Sequence, residues 1–262
     1  MSDTPDRTGP GAHTSRAAKA EAAAILSDAR LGSSEDERRD NLRRARIQAG
    51  ILNTVTGAAV TWALSYPRPY SVAITVLAVL PLAGIGLVVA TRGAVTLDSD
   101  RKNVRPTAAY AVFAPGITLA FRSLEDWHIL GWSGFWLPFA VVAGFLLGVL
   151  LVGAGADSQR KASTVAITSL VLLAQSYGLV VFLNCQLDRS VPVIHRTVVE
   201  SRRISRGRRH TSYYLTVSPW IDGGYSEEVT VPSSTYGWHL EGSTVLIGVR
   251  TGSLSMPWYF VQ

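Results

Sequence analysis

The sequence predicts a membrane all-α bundle of about five transmembrane helices followed by a small C-terminal all-β barrel, SH3-like or OB-like in size. Three observations predict it. Residues 164–183, TVAITSLVLLAQSYGLVVFL, form a stretch of twenty residues without a charge. At about 1.5 Å per residue, such a helix spans about 30 Å, the thickness of a bilayer's hydrocarbon core. Hydrophobic residues make up 47% of the chain and charged residues only 17%, below the roughly 25% of soluble domains, and the charges are segregated from the apolar runs. Residues 190–262 switch to alternation with period two, the signature of half-buried strands.

In chain order, residues 1–16 are polar, rich in Gly, Pro, Thr and Ser, and read as disordered. They hold no apolar core of a signal peptide, so insertion is expected to use an internal segment. Residues 17–47 read as a cytoplasmic helical segment. Its Ala-rich first part, 17–31, is stopped by Gly32 and Ser33; Ser34 followed by Glu37 then forms a capping box that opens a second helix. That helix carries acidic residues first and then Arg38, Arg39, Arg43, Arg44 and Arg46, as the helix dipole favours. It is expected to run into the first apolar stretch.

The transmembrane bundle is placed at 48–184, with spans at about 49–65, 71–90, 107–121, 134–154 and 164–183. The first holds Asn53 and four threonines or serines; the third is about fifteen residues with Pro115-Gly116, and a re-entrant or interfacial segment is its alternative. Counting basic residues at alternate ends of these spans gives twelve against two. The positive-inside rule then puts the N-terminus in the cytoplasm and, with five spans, the C-terminal domain outside it. Trp62, Tyr66, Tyr70, Trp127, Trp132 and Trp136 fall near the charge-poor loops, as an interfacial belt does. Arg189, Arg196, Arg202 and Arg203 argue the other way, and losing the third span would reverse the side.

The β domain, 190–262, is expected to contain strands at 193–200, 212–218, 227–231, 245–250 and 258–261. Asp222-Gly223-Gly224 and Thr251-Gly252 read as turns, and 236–242 as a short helical turn. Five short strands in so few residues suggest a small closed barrel.

The chemistry that can be read is sparse. Catalytic motifs, phosphate-binding loops and His-Glu-x-x-His spacing are lacking, so no cofactor, metal or catalytic residue is assigned and the chain reads as a non-enzyme. The five histidines are scattered, and Cys185 is the one cysteine, which excludes an intrachain disulfide. Cys185 is read as packing, with acylation or an intermolecular disulfide as alternatives. Asn53 and Gln175 are read as interhelical hydrogen-bond formers. The pair Gly144 and Gly148 permits close helix packing, within the bundle or to a partner. Arg122, Glu125, Asp126 and His128 form a charged corner that could be a rim site. Arg202, Arg203, Arg206, Arg208 and Arg209 are the densest charge in the chain and are read as a hairpin tip able to contact lipid phosphates or another anion. Nucleic acid is disfavoured as a partner, because the net charge of +6 is first a matter of topology.

Residues 108–132, the stretch LNCQLDRSVP at 183–192 and the terminal LEGSTVLIGVRTGSLSMPWYFV are similar to a group of bacterial multi-pass membrane proteins that carry helices followed by a small C-terminal β domain. In layout the chain also resembles NfeD-like proteins, whose helices precede an OB barrel. The resemblance implies a bacterial inner (plasma) membrane location and no particular activity. The expected role is a membrane-anchored interaction or accessory module, with the lipid bilayer and a protein partner or second copy as partners. The alternative is a small transporter or channel subunit with a polar path lined by Asn53, Thr56, Gln175 and Ser176.

Overall fold

The computed structural model describes residues 23, 26–98, 105–156, 162–207, 211–221 and 224–262. The expected disorder of 1–16, most of the Ala-rich helix at 17–31, Arg208 and Arg209, and the first two residues of the Asp222 turn lie outside the described residues. The chain divides into two compact units, one of Met1–Arg122 with Phe139–Leu179 and one of Ser123–Pro138 with Val180–Gln262.

The first unit is helical. Helix α1 spans Glu35–Ser65. Ser34 caps it, its hydroxyl accepting the Glu37 N–H at 3.2 Å, while Glu37 reaches back to the Ser33 N–H and hydroxyl, each at 2.7 Å. This is a capping box displaced by one residue. A short connection leads to α2, Tyr70–Ala90. α3 covers Ala109–Asp126, α4 Trp136–Ala156 and α5 Ala162–Gln186. The core of this unit joins Leu31, Ala45 and Ala49 to Ile85, Val88, Val95, Val112, Leu146, Leu150 and Leu172. Small alanines on α1 allow close helix approach, as does Gly84 on α2, where an added Cβ would lie 2.8 Å from Val112.

The number of crossing helices corrects the sequence expectation. Among the described residues, three helices are long and apolar enough to cross a membrane: α2 at Tyr70–Ala90, Trp136–Gly153 within α4, and α5 at Ala162–Gln186. The expected spans at 49–65 and 107–121 fall short. The first is the second half of α1, where Asn53, Thr54, Thr56, Thr61 and Ser65 dilute the apolar content. The other lies in α3, an 18-residue helix whose last turns carry Arg122, Glu125 and Asp126. On α4, Leu137, Val141, Phe145, Leu151 and Val152 are each more than 60% exposed or at that level, which lipid tolerates and water does not.

The second unit contains a six-stranded antiparallel sheet in the order β1-β6-β5-β2-β3-β4. The strands are β1 His128–Ile129, β2 Val193–Arg206, β3 Thr211–Val217, β4 Glu227–Val231, β5 Thr244–Arg250 and β6 Trp258–Val261, with a one-turn helix α6 at Ser233–Trp238. β2 is long enough to pair with β5 through 193–198 and with β3 through 199–206. A register shift between Val199 and Ser201 separates the two halves and bends the strand. The alternating residues Val199, Leu215, Val217, Val229, Val231, Val245, Ile247 and Tyr259 fill the concave face. The sheet curls into a half-barrel and does not close, which corrects the expected closed barrel. β1 has only two residues and β4 only five, so the two ends of the order do not pair with each other.

Candidate functional site

Curling brings opposite ends of the strand order around one cleft of about 890 Å³. One wall is formed by Thr211–Tyr213 of β3 with Thr230, Val231 and Ser233; the other by Trp258–Val261 of β6 with His128 of β1. Glu125 and Asp126 from the end of α3 and Asp188 after α5 make its charge acidic, against Arg250 as the single Lys or Arg among the described lining residues. Three of the four residues of the predicted rim corner, Glu125, Asp126 and His128, therefore meet here. Arg122 belongs to the other unit.

His128 is placed by its ladder pairing with Tyr259 and stacks on that ring at 4.9 Å and 18°. Burial lowers its pKa below the ordinary imidazole value, opposed by the negative charge of Glu227. The Tyr259 hydroxyl donates to Glu227 Oε1 at 2.7 Å. Burial, and then this hydrogen bond, push the phenol well above its usual range.

A polar knot that the sequence reading missed holds the cleft's base. Asn184 is fully buried; its Nδ2 donates to the Met256 carbonyl at 2.8 Å and its Oδ1 accepts the Leu254 N–H at 3.0 Å. Asp188, 9% exposed, accepts from the Ser190 N–H at 2.8 Å, the Gly252 N–H at 2.9 Å and Trp258 Nε1 at 2.8 Å. Burial alone raises such a carboxyl; the hydrogen bonds from Ser190, Trp258 and Gly252 outweigh it and hold the pKa below the usual carboxylate value. Gly252 sits at φ +78°, and a Cβ there would collide with Asn184 and the Met256 carbonyl. The signal available in the sequence was the recurrence of isolated polar residues, Asn184 and Asp188, at the end of an apolar helix.

The walls differ. Glu125, Thr211, Ser212, Thr230 and Ser233 make no side-chain hydrogen bond or ion pair among the described residues. Among the described residues β4 pairs only with β3.

The other sequence-derived candidates are dispersed. Arg202, Arg203 and Arg206 lie on β2 rather than beyond it. Arg202 covers the Tyr236 ring at 4.0 Å and donates to its carbonyl at 2.5 Å. Arg203 pairs with Glu228 at 2.5 Å and covers Tyr214 at 4.1 Å. Two of the arginines are thus engaged within the sheet. A Cβ added at Gly144 or Gly148 would meet nothing within 4 Å, so among the described residues those glycines pack against no neighbour. Asn53 Nδ2 donates to the Thr107 carbonyl and Gln175 Nε2 to the Ala78 carbonyl, at 2.8 and 3.1 Å. Thr56 and Ser176 bond their own helices through the carbonyls of Leu52 and Leu172. Cys185 is a buried free thiol. Among the described residues, no group of three His, Cys, Asp or Glu side chains could hold a metal ion. No protein family, curated protein or solved structure matches the chain.

Proposed function

We propose that this chain is a non-enzymatic, membrane-held interaction module whose half-barrel takes an extended segment of a partner polypeptide into its cleft. The observation that carries the reading is the acidic cleft bordered by the unpaired edge of β4. An exposed edge strand is a template for strand addition. A partner strand laid along β4 would complete the barrel that the chain leaves open, in the manner of an SH3- or OB-sized domain. The carboxylate of Glu125 favours a segment with Lys or Arg, and the lining of Trp258 and Phe260 favours an apolar neighbour beside it. The hydrogen bonds that the Asn53 and Gln175 amide nitrogens donate to carbonyls of neighbouring segments support packing between helices in preference to a transport path.

The three apolar helices support residence in a membrane, and we place it in a bacterial inner membrane. An odd number of crossings sends the arginine-rich start of α1 and the β domain to opposite faces, with the arginines in the cytoplasm. A reporter fused after Gln262 is expected to be active only outside the cytoplasm.

The binding claim is tested by selecting displayed random peptides against the full-length protein in nanodiscs. Selected peptides should be extended, basic and dependent on the cleft: Thr211→Trp, which fills it, should abolish binding, and Ser201→Trp on the outer face should not. Binding indifferent to Thr211→Trp would overturn the proposal.

A further inference from the structure

A second cavity, of about 400 Å³, lies in the helical unit where the start of α1 meets the C-terminal end of α2. Arg30, Arg44 and Arg92 line it, with Asn41, Gln48 and Glu37. None of these arginines makes a side-chain hydrogen bond or ion pair among the described residues. The carboxylate in the cavity is already used: Glu37 accepts from the Ser33 hydroxyl and N–H, which lower its pKa.

The wall is built, not collapsed. Arg38 donates from Nε to the Gly32 carbonyl at 2.8 Å and from Nη1 to the Leu26 carbonyl at 2.6 Å. Asn41 Nδ2 donates to the Leu31 carbonyl at 2.7 Å, and Leu31 is buried. These bonds fix the 26–33 turn against α1.

Arg92 holds an unusual place. After α2 the Gly93 N–H reaches the Val88 carbonyl and the Arg92 N–H the Val89 carbonyl, which together make a Schellman ending. Its left-handed position, normally glycine, is occupied by Arg92 at φ +51°. An arginine side chain is thus retained where the backbone disfavours any side chain.

We propose that this cavity binds a phosphate group, held by the guanidinium groups of Arg30, Arg44 and Arg92. Arginine forks match phosphate oxygens bidentately, and uncommitted ones need no partner exchange to do so. The cavity abuts the end of a membrane-crossing helix, which sets it at the depth of lipid head groups, where anionic phospholipid is abundant. The same chemistry would admit a small phosphate ester from solution. The inference concerns the helical unit and stands apart from the cleft reading.

The test uses the full chain in nanodiscs of phosphatidylcholine with or without phosphatidylglycerol, and in detergent with inorganic phosphate or glycerol 3-phosphate. Retained phospholipid is read by native mass spectrometry. Arg44→Gln with Arg92→Gln should weaken phosphatidylglycerol retention by about tenfold or more. Arg43→Gln with Arg46→Gln, an equal charge change at exposed positions of α1 outside the cavity, should leave it unchanged. Arg92→Gly should keep or raise the unfolding midpoint while weakening retention. Protection by glycerol 3-phosphate in detergent would extend the ligand to soluble esters; protection by phosphatidylglycerol alone would restrict it to lipid. Equal weakening by both double variants, weakening by neither, or an Arg92→Gly variant that loses stability and keeps retention would each overturn the proposal.

Discussion

The knot around Asn184 and Asp188 and the walls of the cleft are both polar, yet they are used in opposite ways. In the knot, Asn184 and Asp188 are surrounded by donors and acceptors from Ser190, Gly252, Leu254, Met256 and Trp258. On the walls, Glu125, Thr211 and Ser233 are left without side-chain partners among the described residues. A buried polar group must be satisfied to persist, so the first set is structural. An open polar group that the fold does not use is available to a ligand, at little cost to stability. The comparison therefore predicts that substitutions in the knot unfold the domain and substitutions on the walls alter only what it binds.

The largest effect should come from Asn184→Leu. It strands the Leu254 N–H and Met256 carbonyl in a buried site, and is expected to cost about 3 kcal/mol or more, read as loss of the unfolding transition of the β unit. Gly252→Ala comes next, at about 2 kcal/mol, because a left-handed backbone and a collision act together. A small cost in either would show that the knot is not the support it is described as.

The Asp188 and His128 environments predict pH responses of the same sign. Both groups have pKa values depressed by the fold. For each, the unfolded chain binds the proton more readily, so stability is complete above the unfolded value and falls as pH drops through the folded one. The His128 loss begins below about pH 6.5 and the Asp188 loss below about pH 4. His128→Phe keeps the stack on Tyr259 and should remove the first of the two losses while leaving the second. A melting profile unchanged by His128→Phe between those pH values would contradict the burial assigned to His128.

Wall substitutions should be smaller still. Thr211→Val and Ser233→Ala are each expected within about 0.5 kcal/mol of the parent in stability. The smallest effect belongs to the outer face, where Arg203 and Glu228 are both exposed. Their coupling in a double-mutant cycle should vanish in high salt.

The sequence was informative where one face alone is buried. β4 was expected at 227–231 and occupies Glu227–Val231, because Val229 and Val231 alternate with charged or polar residues. β1 could not be read, since two residues have no period. β2 was cut short at 200 because Arg202, Arg203 and Arg206 resemble a solvated tip. The strand continues because Arg202 and Arg203 lie flat on Tyr236 and Tyr214 and so pack as strand residues. The stretches at 49–65 and 107–121 lack mid-span charge as crossing helices do, but threonine, asparagine and terminal charge dilute their hydropathy, and neither is among the three helices apolar enough to cross. Of the cleft, Glu125, Asp126 and His128 were legible as a local cluster. Their meeting with Trp258 and Tyr259 depends on a pairing across some 130 residues, which no local pattern encodes.

The central claim is that the cleft receives a partner chain while the outer face of the same sheet does not. A photo-crosslinking amino acid placed in full-length protein in native membranes at Thr211 or Ser233, and separately at Ser201 on the outer face, tests it directly. The account predicts a discrete polypeptide adduct from Thr211 and from Ser233, the latter lost when the cleft is filled by Thr211→Trp, and none from Ser201. No adduct at either cleft position, or equal adducts from Ser201, would contradict it.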